Sequence, residues 1–198
     1  MSTRLNARKS KLLCLWDGRP IIRHALDNIS ASPVSKIIVV VGHQGESVMR
    51  ALDGRKVDFI KNGNPAGGMS GSLIAGLQKA NEGERPDGVM VCLGDMPLIQ
   101  SSTISALVQR FSESPKPCIW RPACKGRAGH PVIFSTGLLD DLTGLQGDRG
   151  AKKVIEANGH LVNDLAVEDA GVLFDVDTRH SLDQLRENGK GVKNLSHD

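Results

Sequence analysis

The sequence predicts an α/β domain, because short apolar runs rich in β-branched residues alternate with amphipathic stretches along its 198 residues. Three observations carry that reading. KIIVVVG (36–42) is a β-branched run closed by a glycine, the pattern of a strand buried on both faces. GVMVCLGD (88–95) is a second apolar run that ends on a carboxylate. Between that run and the next, residues 101–112 place Ile104, Leu107, Val108 and Phe111 at helical spacing. Together they argue for a parallel or mixed sheet covered by helices.

The elements follow in order. Further strands are expected at VDFI (57–60), CIW (118–120), HPVIF (130–134), HLVND (160–164) and VLFDVD (172–177). Helices are expected at 20–29, where Pro20 suits a first turn, and at 46–52, 70–81, 135–142, 149–158 and 181–188. There is no internal repeat and no linker, so 1–188 reads as one domain and 189–198 as a flexible polar tail. An α/β domain of this kind ordinarily opens with a hydrophobic strand feeding a phosphate-binding loop. Here the first apolar cluster is Leu12-Leu13, which leaves that strand unaccounted for.

Composition excludes several function classes. The longest apolar run, 37–41, is too short to span a membrane, and the basic start (MSTRLNARKSK) leads into no signal-peptide core. A formal charge of +3 and 3% aromatics with no Tyr argue against nucleic acid and favour a small anionic ligand. Cys14, Cys92, Cys118 and Cys124 include no CxxC pair, so a reduced, cytoplasmic protein is expected rather than a disulfide or zinc framework. No GxGxxG follows a strand, which disfavours a nicotinamide-dependent oxidoreductase.

The chemistry-bearing residues are few. Asp95, in LGDMP, follows a strand, where open α/β sheets bind ligands, and can hold a hard cation. Asp175 and Asp177, in FDVDT, project to one face of an extended segment; two like charges there invite a bound cation. NGNPAGGMSGS (62–72) is a glycine-rich loop running into a helix, a place for an anion, with Ser70 or Ser72 as cap and ligand contact. Arg4, Arg8, Lys9 and Lys11 form a basic run whose Lys11 can reach triphosphate oxygens. His130 precedes a proline in GRAGHPVIF, and GDRGAKK combines Asp148, a helix cap, with Arg149, Lys152 and Lys153.

The ordered set GDMP, NP…GMSxSL, GHPV, GDRGA and DxDT resembles the nucleotidyltransferases of molybdenum-cofactor maturation, and within them the molybdenum cofactor cytidylyltransferases, over residues 2–185. The resemblance implies a Rossmann-like α/β/α domain. It implies transfer of CMP from CTP to a phosphorylated pterin with Mg²⁺ and release of pyrophosphate. GTP, or maturation of a molybdenum hydroxylase, is the alternative within the family, and a molybdenum enzyme or its chaperone is the implied protein partner. By resemblance, Arg4 and Lys11 embrace the triphosphate; Asn64, Gly68, Ser70, Ser72 and Gly94 hold the nucleotide; Asp95, Asp175 and Asp177 hold the metal, with Asp95, Arg4 and Lys11 catalytic; His130, Asp148 and Arg149 face the acceptor. The family's opening strand and LAAG-type loop have no counterpart in the sequence, and the loop would supply backbone N–H groups to the nucleotide. A second class of reading follows: an incomplete domain that binds nucleotide weakly or serves as a partner-binding module.

Overall fold

Two sets of helices sandwich β-structure in the computed structural model, which describes residues 11–42, 44–63, 68–144 and 151–193. A 3-10 turn, Lys11–Leu13, leads into a hairpin of β1 (Leu15–Trp16) and β2 (Arg19–Pro20). Its turn residues Asp17 and Gly18 have φ of 46° and 74°, the left-handed pair that a two-residue hairpin turn requires. Pro20 then caps α1 (Ile21–Ser30). β3 (Ile38–Val41), α2 (Gly45–Ala51) and β4 (Asp58–Lys61) form a crossover whose strands pair in parallel.

α3 (Gly68–Ala80) carries the chain to a five-stranded mixed sheet. That sheet holds β5 (Gly88–Val91), β6 (Ile119–Cys124), β7 (Arg127–Ala128), β8 (Val132–Ser135) and β9 (Val162–Val167). β5 and β6 both pair antiparallel with β8, and β9 pairs parallel with β6. β5, β6 and β9 therefore run one way. α4 (Ser101–Glu113), α5 (Leu139–Thr143), α6 (Lys152–Ala157) and α7 (Arg179–Lys193) complete the fold.

Alternation along the strands sorts the core into layers. Val89, Val91, Val132 and Phe134 face Leu77 of α3, Leu139 and Leu142 of α5 and Val154 of α6. Ile133, with Met90 and Trp120, faces Leu107 and Phe111 of α4 on the other side. Gly88 is where Phe111 crosses the sheet: a Cβ there would lie 2.3 Å from the ring, so only glycine fits.

The sheet is not continuous. Among the described residues β3 and β4 pair only with each other, and β3 shares no ladder with β5. The parallel register, with the Asp58 N–H donating to Ile37 and the Asn62 N–H to Val41, directs Ile37, Val39 and Val41 toward β4. Ile38 and Val40 therefore turn their backbone groups away. On β5, the bond from Thr136 N–H to Asp87 C=O sets the phase, so Gly88 and Met90 turn away from β8. α3 covers both pieces: Gly76 packs on Val40, while Leu73 and Leu77 pack with Val89 and Val91.

Three expectations need correction. The 36–42 strand is buried on both faces only at Val41; Ile38, Val39 and Val40 are half-buried, and one edge of β3 is unpaired among the described residues. The 172–177 segment is not a sheet strand: Ala170–Leu173 is a 3-10 turn, and the Val176 N–H that a ladder would use donates to the Asp95 carbonyl at 3.0 Å. The last helix is longer than the expected 181–188, since α7 runs from Arg179 to Lys193. The cysteines are free thiols; burial pushes the Cys92 thiol up to about 12. No helix among the described residues is long and apolar enough to cross a membrane.

Candidate active site

β5 ends at Val91, and four residues later the chain presents Asp95, whose side chain is only 15% exposed. Ile22 of α1 and Leu12 of the 3-10 turn lie beside the Asp95 loop, at 3.4 Å and 3.5 Å from where a Cβ on Gly94 would sit, ordinary contact distances. Beyond it, the Pro97 carbonyl accepts a hydrogen bond from Asn28 of α1 at 3.1 Å.

The second carboxylate pair arrives from the opposite end of the sequence. Val176 is fully buried among Ile21, Leu182 and Leu185, and its N–H is held by Asp95 C=O. In an extended segment the residues on either side of a buried one face outward together. Asp175 and Asp177 are accordingly exposed and lie beside Asp95, with one oxygen of each of the three carboxylates within 4.8 Å of the others. Partial burial, followed by the hydrogen bond and charge of Asp177 and the charge of Asp95, raises the Asp175 pKa above its ordinary value.

Lys11 closes this acidic group. Its ammonium lies 2.5 Å from Asp95 and also contacts Asp177. Burial works against the Lys11 charge, but hydrogen bonds and attraction from Asp177 and Asp95 outweigh it, and its pKa is raised. Three carboxylates converging on one point form a hard, anionic donor set, the chemistry of a divalent-cation site. A lysine ammonium now occupies the position of that positive charge.

Around this centre stand other expected residues. His130 N–H donates to the Val172 carbonyl at 3.0 Å, and its ring Nδ1 is buried without a hydrogen-bond partner among the described residues. Burial lowers the His130 pKa, partly offset by the Val91 carbonyl and the Asp95 charge, so the ring sits within electrostatic reach of the carboxylates. Gly68 opens α3 with φ of 60°, and Ser70 in its first turn is 2% exposed, its hydroxyl without a hydrogen-bond partner among the described residues. Ser72 Oγ accepts from Asn62 Nδ2 at 3.0 Å. Arg4, Asn64, Asp148 and Arg149 lie outside the described residues.

Sequence reading missed two things. Lys11 was expected on a triphosphate, not on the metal-type carboxylates. Asp169 drew no notice, although it is 6% exposed and hydrogen-bonded to two elements; its only sequence signal is an Asp-Ala-Gly turn pattern.

Comparison with known proteins bears on this geometry. Residues 1–162 match the family model described as a MobA-like NTP transferase domain. Relatives include the bifunctional protein GlmU of Hydrogenobaculum sp., 36% identical over 111 residues, covering 56% of this chain and 23% of that protein. GlmU of Listeria innocua is 37% identical over 112 residues with the same coverage, so the match spans about a quarter of these curated relatives. Rv0371c from Mycobacterium tuberculosis superposes with a TM-score of 0.78 at 26% identity, covering 91% of this chain and 90% of that one. A second structure, of Rv0371c in complex with manganese, gives 0.73 at 26% identity over 89% and 91%. A nucleotidyl transferase from Methanothermobacter gives 0.78 at 20% identity over 92% and 86%, a likeness of fold. With the Rossmann-like α/β/α fold and this family match over most of its length, the chain belongs to the MobA-like NTP transferase domain family.

Proposed function

We propose that the chain is a divalent-metal-dependent nucleotidyltransferase, moving a nucleoside monophosphate from a nucleoside triphosphate to a phosphorylated acceptor. The observation that carries this reading is the convergence of Asp95, Asp175 and Asp177 beneath the Lys11 ammonium. That the similar protein Rv0371c was solved in complex with manganese supports the use of a divalent cation; Mg²⁺ is our choice for the working metal. When bound, the cation neutralises phosphate charge and orients the phosphates.

The acceptor phosphate oxygen attacks the α-phosphorus, the bond to the bridging oxygen of the β-phosphate breaks, and pyrophosphate leaves with that electron pair. An ionised phosphate needs no strong base, so the chain's own residues work by positioning and charge. Lys11, freed from the carboxylates, stabilises the departing pyrophosphate together with Arg4. Gly68, Ser70 and Ser72, with Asn64 and Gly94, hold the nucleotide at the α3 N-terminus, where free N–H groups favour an anion. His130, with Asp148 and Arg149, faces the acceptor.

For the finer reading we favour CTP as donor, a phosphorylated pterin of the molybdenum cofactor as acceptor, and a molybdenum enzyme or its chaperone as recipient. Its support is the ordered set of sequence motifs alone. The curated relatives carry the name GlmU instead, so acceptor trials should include sugar phosphates beside the pterin.

The test is pyrophosphate release with each nucleoside triphosphate and Mg²⁺. Asp95→Ala should lower kcat by about 10²-fold or more while leaving the thermal transition in place. A fully active Asp95→Ala enzyme would overturn the assignment.

A further inference from the structure

One buried carboxylate, outside both the acidic group and the residues matched by the family, ties the two halves of the site together. Asp169 is 6% exposed and has no cation within salt-bridge distance among the described residues. A buried anion of this kind needs its lone pairs filled. Here Oδ2 accepts from the Gln100 N–H at 2.8 Å and from Thr103 Oγ1 at 2.8 Å, and Oδ1 accepts from the Gly171 N–H at 2.9 Å.

Each bond has a place in the fold. Gln100 is the N-cap residue of α4 but makes no side-chain cap, and the first turn of α4 holds no acid. Asp169 supplies from a distance the negative charge and the acceptor that this helix end lacks. Through Gly171 the same carboxylate caps the 3-10 turn Ala170–Leu173. That turn rests on the loop carrying Asp95: a Cβ on Gly171 would lie 2.3 Å from the Leu98 carbonyl oxygen. Three further contacts follow. The Val172 carbonyl accepts from His130 N–H at 3.0 Å; a Cβ on Gly129 would lie 2.2 Å from that same oxygen; the Val176 N–H reaches Asp95 C=O. The segment from Asp169 to Asp177 is thus registered against the 95–100 loop at both its ends.

We propose that Asp169 is a positioning residue. By clamping the 3-10 turn to the start of α4, it sets Asp175 and Asp177 at ligand distance from Asp95 and fixes the backbone of His130. The proposal rests on the metal-site reading above for its consequence in binding, and on hydrogen-bond geometry alone for the clamp.

The experiment compares wild type with Asp169→Asn and Thr103→Val, using Ser135→Ala as a structural control. Ser135 is also buried and bonded, to the Cys118 backbone, in a strand that does not carry the carboxylates. Two quantities are read at a temperature where every variant is folded: Mn²⁺ affinity without nucleotide, and hydrogen exchange of the Val176 amide. Asp169→Asn should weaken Mn²⁺ binding about tenfold, as loss of an orienting partner does in other metal sites, and should deprotect Val176. Thr103→Val should shift both in the same direction by less, which keeps the test alive if Asp169→Asn does not fold. Ser135→Ala should lower the melting temperature and move neither. Wild-type Mn²⁺ affinity and wild-type Val176 protection in a folded Asp169→Asn chain would overturn the clamp. If the wild type itself bound no Mn²⁺, the metal reading would fall, and Val176 exchange would still decide the clamp.

Discussion

Lys11 is paired with Asp95 and Asp177 where a metal-dependent site would place a divalent ion. The ammonium and the ion compete for the same oxygens, so one must leave when the other arrives. Lys11→Met should therefore bind Mn²⁺ more tightly than wild type in the absence of nucleotide, by about tenfold, and should still lose pyrophosphate release. Calorimetric titration with Mn²⁺ checks it; weaker binding by the variant would exclude competition. Asp175 adds a pH signature. Its folded pKa lies above the ordinary 3.8, so the folded chain holds this proton more tightly than the unfolded chain does. That contribution to stability is complete below pH 3.8 and disappears as pH rises through the raised folded value. Metal-free melting temperatures should show that loss, and Asp175→Asn should flatten it. The acids themselves could be seen in the sequence, in GDMP and DVD. Their pairing with Lys11 could not, because 166 residues separate Lys11 from Asp177.

At the scale of elements, α3 carries a contradiction that function would resolve. Ser70 is 2% exposed, yet its hydroxyl has no partner among the described residues, and an unsatisfied buried hydroxyl costs about 1–3 kcal/mol. Ser70→Ala should raise stability by about 1 kcal/mol and weaken triphosphate binding. Thermal denaturation with and without nucleotide measures both; a less stable variant would show that the hydroxyl is satisfied in solution. Helices were the more legible elements. The period of Ile104, Leu107 and Phe111 predicted α4 to within a residue of its observed bounds. The segment 172–177 misled because its apolar–polar alternation is also what an extended anchor shows when Val176 is buried between two exposed acids. Alternation reports which side chains are covered; it does not report whether the backbone pairs with a strand.

For the whole molecule, the decisive feature is the broken sheet. Ile38 and Val40 of β3 and Met90 of β5 direct backbone groups toward a space that no described strand fills. Unpaired strand edges exchange their amide protons quickly. The amides of Ile38, Val40 and Met90 should exchange far faster than those of Val39, Val41, Val89 and Val91, which point into ladders. Equal protection of the two sets would show that a strand pairs there in solution.

Sequence by itself determined the α/β class, the order of most elements, the family motifs and the acidic residues, because these are written in local periodicity and short spacings. Tertiary structure alone decided which side chains meet. It brought Asp95 and Asp177 to one lysine, bonded Asp169 to both a helix start and a turn, and left one edge of β3 unpaired among the described residues. Such contacts depend on how distant backbone segments stack, and no window along the chain contains both partners.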